Sequence, residues 1–124
     1  MTVRGIRGAT TVSQNDEHEM LQATVEMLRN IVANNGLSPE DICSVFVTVT
    51  QDLDATFPAK AIRELEGWEY VPLMCSMEIK VPGSLEKCIR LMVLVNTDKS
   101  QREIRHVYLK NAITLRPDIQ SKSV

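Results

Sequence analysis

The chain has 124 residues, of which 44% are hydrophobic and 24% charged, with a formal net charge of −2. That is the size and composition of one globular domain able to bury its own core. The small negative charge argues against binding a polyanion by bulk electrostatics, and five aromatic residues with no basic run among them argue against a stacking platform for bases.

In chain order, residues 2–12 read as a strand, with Val3, Ile6 and Val12 among small and β-branched residues. Ser13, with Asp16 three residues on, predicts a variant capping box. Leu21, Thr24, Val25, Leu28, Ile31 and Val32 then recur at helical spacing until Gly36. Ser38-Pro39-Glu40-Asp41 opens one further short turn, and CSVFVTVT (43–50) reads as a strand. Pro58 at a first helical position and Gly67 beyond the end bracket a short helix. Residues 70–81 read as extended, with Pro72 marking an edge or interruption, and Pro82-Gly83 is a turn. Residues 86–97 form the most apolar strand. Ser100 and Glu103 make another capping box, and Ile104, Val107 and Tyr108 at i, i+3 and i+4 predict a short helix. Residues 112–115 close the pattern as a last strand.

Strands alternating with helices give an α/β or α+β class, taken as α+β: a mixed sheet with two main helices on one side, forming a single domain over residues 1–119 with a polar tail at 120–124. So few helices leave a flank of the sheet uncovered, and many strand residues are apolar in both registers. Another subunit is expected to supply the missing cover. The longest apolar run, Leu91–Val95, is far too short to span a membrane. The start MTVRGIRGATTV lacks the apolar core of a signal peptide, and Cys43, Cys75 and Cys88 are odd in number and widely spaced. Both features predict a cytoplasmic protein with free thiols.

The segment KCIRLMVLVNT (87–97) poses the functional question. It reads as a strand buried on both faces, yet it carries Arg90, whose charge cannot be shed. Alternation places Arg90 on the face of Cys88, Met92 and Leu94, where a guanidinium is costly unless an anion meets it. Other cations are also embedded in ordered elements. Arg7 shares a face with Val3, Gly5 and Ala9, Lys60 and Arg63 stand three apart on the short helix, and Arg116 follows the last strand. Glu78 is the counterpoint, an acid in an extended stretch. Each has an ordinary explanation: a snorkelling side chain, an Arg7–Glu78 bridge, a solvated helix face. Together they would suit a small ligand with more than one carboxylate, with Glu78 accepting from a ligand hydroxyl. No CxxC, HExxH, P-loop or GxGxxG is present, and His18 and His106 are distant in sequence, so no metal and no cofactor is expected. A Cys75–His106 pair remains open, although a buried thiol and a surface imidazole are the simpler reading.

The segments VRGIRGATTV (3–12), FPAKAIRELEGWEYVP (57–72), C-x-x-E (75–78), KCIR (87–90), IRHVYL (104–109) and LRPD (115–118) come in an order and spacing that resembles the AroH-type monofunctional chorismate mutases, the trimeric class known from Bacillus. The resemblance covers nearly the whole chain. It implies a homotrimeric pseudo α/β-barrel with active sites between subunits, and the Claisen rearrangement of chorismate to prephenate, with no covalent intermediate. It also implies roles. Arg90 would address the ether oxygen and a carboxylate, Arg7 and Tyr108 a carboxylate, Glu78 the ring hydroxyl, and Cys75 the ring by contact. Phe57, Ala59 and Leu73 would line the wall. Lys60, Arg63, Leu115 and Arg116 would form the mouth, with the tail as a flap. Met74, where the family often has threonine, and Ser76 and Met77 would flank the ligand; the parity change across residues 74–78 predicts a bulge or strand end. Two alternatives stand beside it: a non-catalytic or regulatory small-carboxylate-binding trimer using the same pocket, and an imine or enamine hydrolase of similar architecture that also uses an arginine for a carboxylate.

Overall fold

The computed structural model describes residues 2–115. Arg116 and the 120–124 tail lie outside the described residues. Five strands, β1 (Thr2–Thr11), β2 (Ile42–Val49), β3 (Leu73–Met77), β4 (Cys88–Thr97) and β5 (Val107–Tyr108), form one mixed sheet in the order β3-β2-β4-β1-β5. β4 lies at its centre, antiparallel to both β1 and β2, while β3 and β5 join the outer sides in parallel.

Two helices of very unequal length, α1 (Glu17–Asn35) and α2 (Ala59–Arg63), cover one side of the sheet. Met20, Met27, Leu28 and Ile31 of α1 recur at helical spacing and pack on Ile6, Val45, Val47, Ile89, Leu91, Val93 and Val95. Burying each such side chain contributes about 1.5–3 kcal/mol, several times a typical helix-propensity difference, so packing rather than propensity holds α1 in place. The helix starts later than expected. Asp16 is the N-cap and accepts the Glu19 amide at 2.9 Å, whereas Ser13 stays outside and gives its own amide to the Glu19 carboxylate at 2.6 Å. That Ser13 amide is the chief reason the Glu19 carboxyl titrates below its ordinary value. Gly36 ends the helix in the left-handed region, at φ 61°, as expected. Among the described residues, no helix is long and apolar enough to cross a membrane.

Three expectations need correction. Val107 and Tyr108 belong to a strand rather than a helix. The Ser100–Glu103 capping box closes only a 3-10 turn, after which the chain runs extended beside Gly8 and Ala9 of β1. Residues Lys110–Leu115 form a 3-10 helix where a last strand was expected. Of the 70–81 stretch, only Leu73–Met77 is strand, and it runs in unbroken register against Val45–Val49. The parity change at residues 74–78 therefore reflects a strand end, and the register shift lies instead at Ile42/Ser44 of β2.

Among the described residues, the opposite side of the sheet is covered only at one corner, where Ala9, Cys88, Tyr108 and Ala112 pack together. Val3, Phe46 and Met74 are exposed there at 54%, 42% and 62%. The apolar strand is thus sealed on one side only, which corrects the expectation that both faces of β4 are buried.

Candidate active site

Arg90 stands on this open side, between Thr48 of β2 and Ala9 of β1 in the register of the sheet. Its side chain is 44% exposed, so water as well as protein solvates the charge. Its Nε lies 3.0 Å from Oε2 of Glu78. Glu78 reaches that position because β3 has just ended: its backbone amide still donates to Val49 at 2.9 Å, while its carboxylate turns under the sheet. The Thr48 hydroxyl donates to the same oxygen at 2.7 Å. Arg90, not Arg7, is therefore the partner of Glu78. A charge-assisted pair flanked by a hydroxyl donor fixes both groups more firmly than either would be fixed alone.

Cys88 lies two residues before Arg90 on the same face and is fully buried. Desolvation pushes its thiol up to about 11, with the Arg90 charge pulling the other way. It is packing material beneath the cation rather than a nucleophile.

Arg7 and Tyr108 stand on the same side. A concave space of about 490 Å³ is bounded by Arg7, Ala9, Phe46, Thr48, Arg90, Met92, Tyr108 and Leu115. Tyr108 is 4% exposed and sits beside Ala9. Two side-chain clasps hold this corner. The Arg7 amide donates to Nδ1 of His106 at 2.9 Å, which extends the short β1–β5 ladder by one rung. The buried Asn35 at the end of α1 accepts the Arg105 amide at 2.8 Å and donates to the Arg105 carbonyl at 2.9 Å. His106 is thus tied to Arg7; among the described residues no group of acids, histidines and cysteines could hold a metal ion.

The remaining expected residues lie apart from this group. Leu73 and Cys75 are paired with Val45 and Val47 and so turn toward the helix side, while Met74 and Ser76 take the open side. Phe57, Ala59, Lys60, Arg63, Leu73, Met74 and Cys75 bound a second hollow of about 580 Å³ around the free edge of β3. Ser76 and Met77 border a third hollow with Phe57 and Lys60. Phe57 is 75% exposed, and Lys60 pairs with Glu17 of α1 at 3.6 Å. One chain therefore offers two half-sites: a cationic face around Arg90, and an apolar edge with cations around Phe57. Sequence reasoning missed Thr48 and Phe46, and named Ala9 and Met92 only as same-face neighbours of Arg7 and Arg90. The register that brings Thr48 and Ala9 beside Arg90, and Phe46 beside Met92, is set by pairing between strands distant in sequence.

Fold and site together define a small α+β domain that presents arginines beside a hollow on one open face of its sheet. Comparison with known proteins gives the family. The model of chorismate mutase type I matches residues 3–119. The chain is 52% identical over 119 residues to chorismate mutase AroH of Bacillus subtilis (strain 168), covering 96% of this chain and 94% of that one. It is 48% identical over 120 residues to chorismate mutase AroH of Thermus thermophilus, with 96% and 98% covered. Its fold matches a solved chorismate mutase from Clostridium thermocellum with a TM-score of 0.87 at 53% identity, covering 90% of this chain and 98% of that one. The chain belongs to the type I chorismate mutase family.

Proposed function

We propose that the protein is a chorismate mutase, an isomerase that converts chorismate to prephenate in aromatic amino-acid (Phe/Tyr) biosynthesis. Family membership and the named relatives support this activity over a non-catalytic carboxylate binder or an imine hydrolase. The carrying observation is the Arg90–Glu78–Thr48 group, mounted on the central strand of a sheet side that also presents Arg7 and Tyr108.

The reaction is a concerted rearrangement. The ether C–O bond breaks as a new C–C bond forms within one molecule, and no proton, electron or group leaves. The protein has two tasks: to hold the dicarboxylate in its compact conformer, and to stabilise negative charge growing on the ether oxygen. Arg90 serves the second and also contacts a carboxylate. Arg7 and Tyr108 hold a carboxylate. Glu78 accepts from the ring hydroxyl, and Cys75 packs on the ring. Phe57, Ala59 and Leu73 form the wall, with Met74, Ser76 and Met77 beside them. Lys60, Arg63, Leu115 and Arg116 form the mouth. Neither a nucleophile nor a cofactor takes part.

The separation of the two half-sites supports a shared site. The edge around Phe57 and Cys75 reaches the Arg90 face if it comes from a neighbouring copy, and that neighbour also covers the exposed Val3, Phe46 and Met74. We take the assembly as a homotrimer in the cytoplasm, with residues 1–119 as the working unit.

The test is loss of chorismate's ultraviolet absorbance with formation of prephenate, run beside a native mass measurement. Folded protein that leaves chorismate unchanged overturns the activity. A monomeric mass with full turnover overturns the shared site.

A further inference from the structure

We infer that Thr48 is a positioning residue for the reaction, acting through Glu78 on the aim of the Arg90 guanidinium. The inference rests on the proposed activity and extends it to a residue that never has to touch the substrate.

Thr48 is the next-to-last residue of β2, with Arg90 of β4 on one side and Ser76 of β3 on the other. Its hydroxyl donates to Oε2 of Glu78 at 2.7 Å, the oxygen that also lies 3.0 Å from Nε of Arg90. One carboxylate oxygen thus receives a hydroxyl from the strand before β4 and a guanidinium from β4 itself. Glu78 has no strand of its own to hold it, because β3 ends at Met77. Its backbone is tied to Val49 and its carboxylate to Thr48, so β2 fixes Glu78 at both ends.

The pair needs this third group because it is not buried. The Arg90 side chain is 44% exposed and that of Glu78 17%, and a solvated ion pair samples several geometries at little cost. A short hydroxyl bond on the shared oxygen removes much of that freedom. A guanidinium that must face charge appearing only in the transition state gains most from being held beforehand. The bland reading is that Thr48 is a β-branched strand residue whose hydroxyl takes the nearest acceptor. Shape and hydroxyl can be separated, because valine keeps the branching that the strand uses and deletes the donor.

The experiment compares Thr48→Val with Thr48→Ser, alone and in a Glu78→Gln background, using chorismate turnover and nitrogen-15 NMR of the Arg90 Nε–H. Thr48→Val is expected to lower kcat/KM about tenfold, the scale of one hydrogen bond to a charged group, with the loss in kcat larger than the change in KM. Thr48→Ser is expected to stay within about twofold of wild type, since the donor is kept. In the Glu78→Gln background, Thr48→Val should add less than about twofold, because the carboxylate it acts through is gone. The Nε–H resonance should lose protection from solvent exchange in Thr48→Val and keep it in Thr48→Ser. Equal turnover and equal protection in wild type and Thr48→Val overturn the inference. So does a Thr48→Val loss that persists in full in the Glu78→Gln background. If wild type leaves chorismate unchanged, the proposed activity fails, and the exchange measurement still decides whether Thr48 holds the pair.

Discussion

Ile89, Leu91, Val93 and Val95 of β4 point toward α1 and are at most 3% exposed, whereas Arg90 between them is 44% exposed and Met92 and Leu94 are half-buried. The residues alternate along one strand, so neither composition nor local backbone distinguishes the two sets. The difference is what lies opposite. On the covered side the chain supplies its own partner in Met27, Leu28 and Ile31, and the free energy of folding is gained there. On the open side the charged partner of Arg90 among the described residues is Glu78, just past the end of an edge strand, and the apolar neighbours are left half-covered. A charge can be tolerated on a central strand because only one side of that strand has to be dry. Substitutions on the two sides should therefore show up in different measurements: stability for one, activity and assembly for the other.

The largest effect tests that separation directly. Arg90→Ala should cost about 3 kcal/mol or more of transition-state stabilisation, on the scale of one oxyanion-type donor, measured as kcat/KM. Its thermal midpoint should fall little, because an ion pair this exposed adds at most about 1 kcal/mol to folding. Arg90→Lys should recover little activity, since a point charge cannot replace a planar fork that is already held along one edge. Near-normal turnover in either variant, or unfolding of Arg90→Ala at ambient temperature, would break the comparison. Two glycines of β1 come next. A Cβ at Gly8 would meet Ile31 Cδ1 at 2.7 Å and Met27 Sδ at 3.0 Å, inside the packed core. Gly8→Ala should thus destabilise by about 1–3 kcal/mol in denaturant unfolding. At Gly5 the new atom would meet Met92 Sδ at 3.1 Å on the open side, where the flexible thioether can move aside. Gly5→Ala should leave folding within about 0.5 kcal/mol of wild type. Equal costs at the two positions would mean that the open side is as tightly packed as the covered one.

The covered side was the more legible of the two. Helical spacing from Leu21 to Val32, the stop at Gly36 and the strand around Leu91 all follow from local pattern; the helix exists as expected, but its buried face is rotated toward Met20, Ala23 and Met27 beside Thr24, Leu28 and Ile31, leaving Leu21 and Val25 half-buried. Where long-range pairing decides, local pattern misleads. Ile104, Val107 and Tyr108 have helical spacing, but Asn35 and His106 tie this segment to α1 and β1 as an extended edge. For the site, Arg7, Glu78 and Arg90 stood out as ions in ordered stretches and Tyr108 entered only through the family resemblance, whereas Thr48 did not stand out, because a threonine in a strand is unremarkable. Its role depends on lying opposite Arg90, and register is invisible until the sheet is assembled. The Arg7–Glu78 bridge gives way to an Arg90–Glu78 pair for a related reason: the end of β3, which lets Glu78 turn under the sheet, is set by how far β3 can pair with β2.

The smallest effect concerns a flaw on the covered side. Thr10 lies opposite Ile89 and is fully buried, and its hydroxyl has no hydrogen-bond partner among the described residues. Leaving such a group unpaired costs about 1–3 kcal/mol, while an apolar group of the same shape costs nothing of the kind. Thr10→Val keeps the volume and branching, so it should be neutral or stabilising by up to about 1 kcal/mol in denaturant unfolding, with kcat/KM unchanged. The contrast with Thr48→Val is the point of the measurement. The same chemical change is made on the two strands that flank β4, once where the hydroxyl has no partner among the described residues and once where it holds Glu78. If Thr10→Val lowered activity as Thr48→Val should, the two sides of the sheet would not be separable, and the division between the side that folds and the side that reacts would fall.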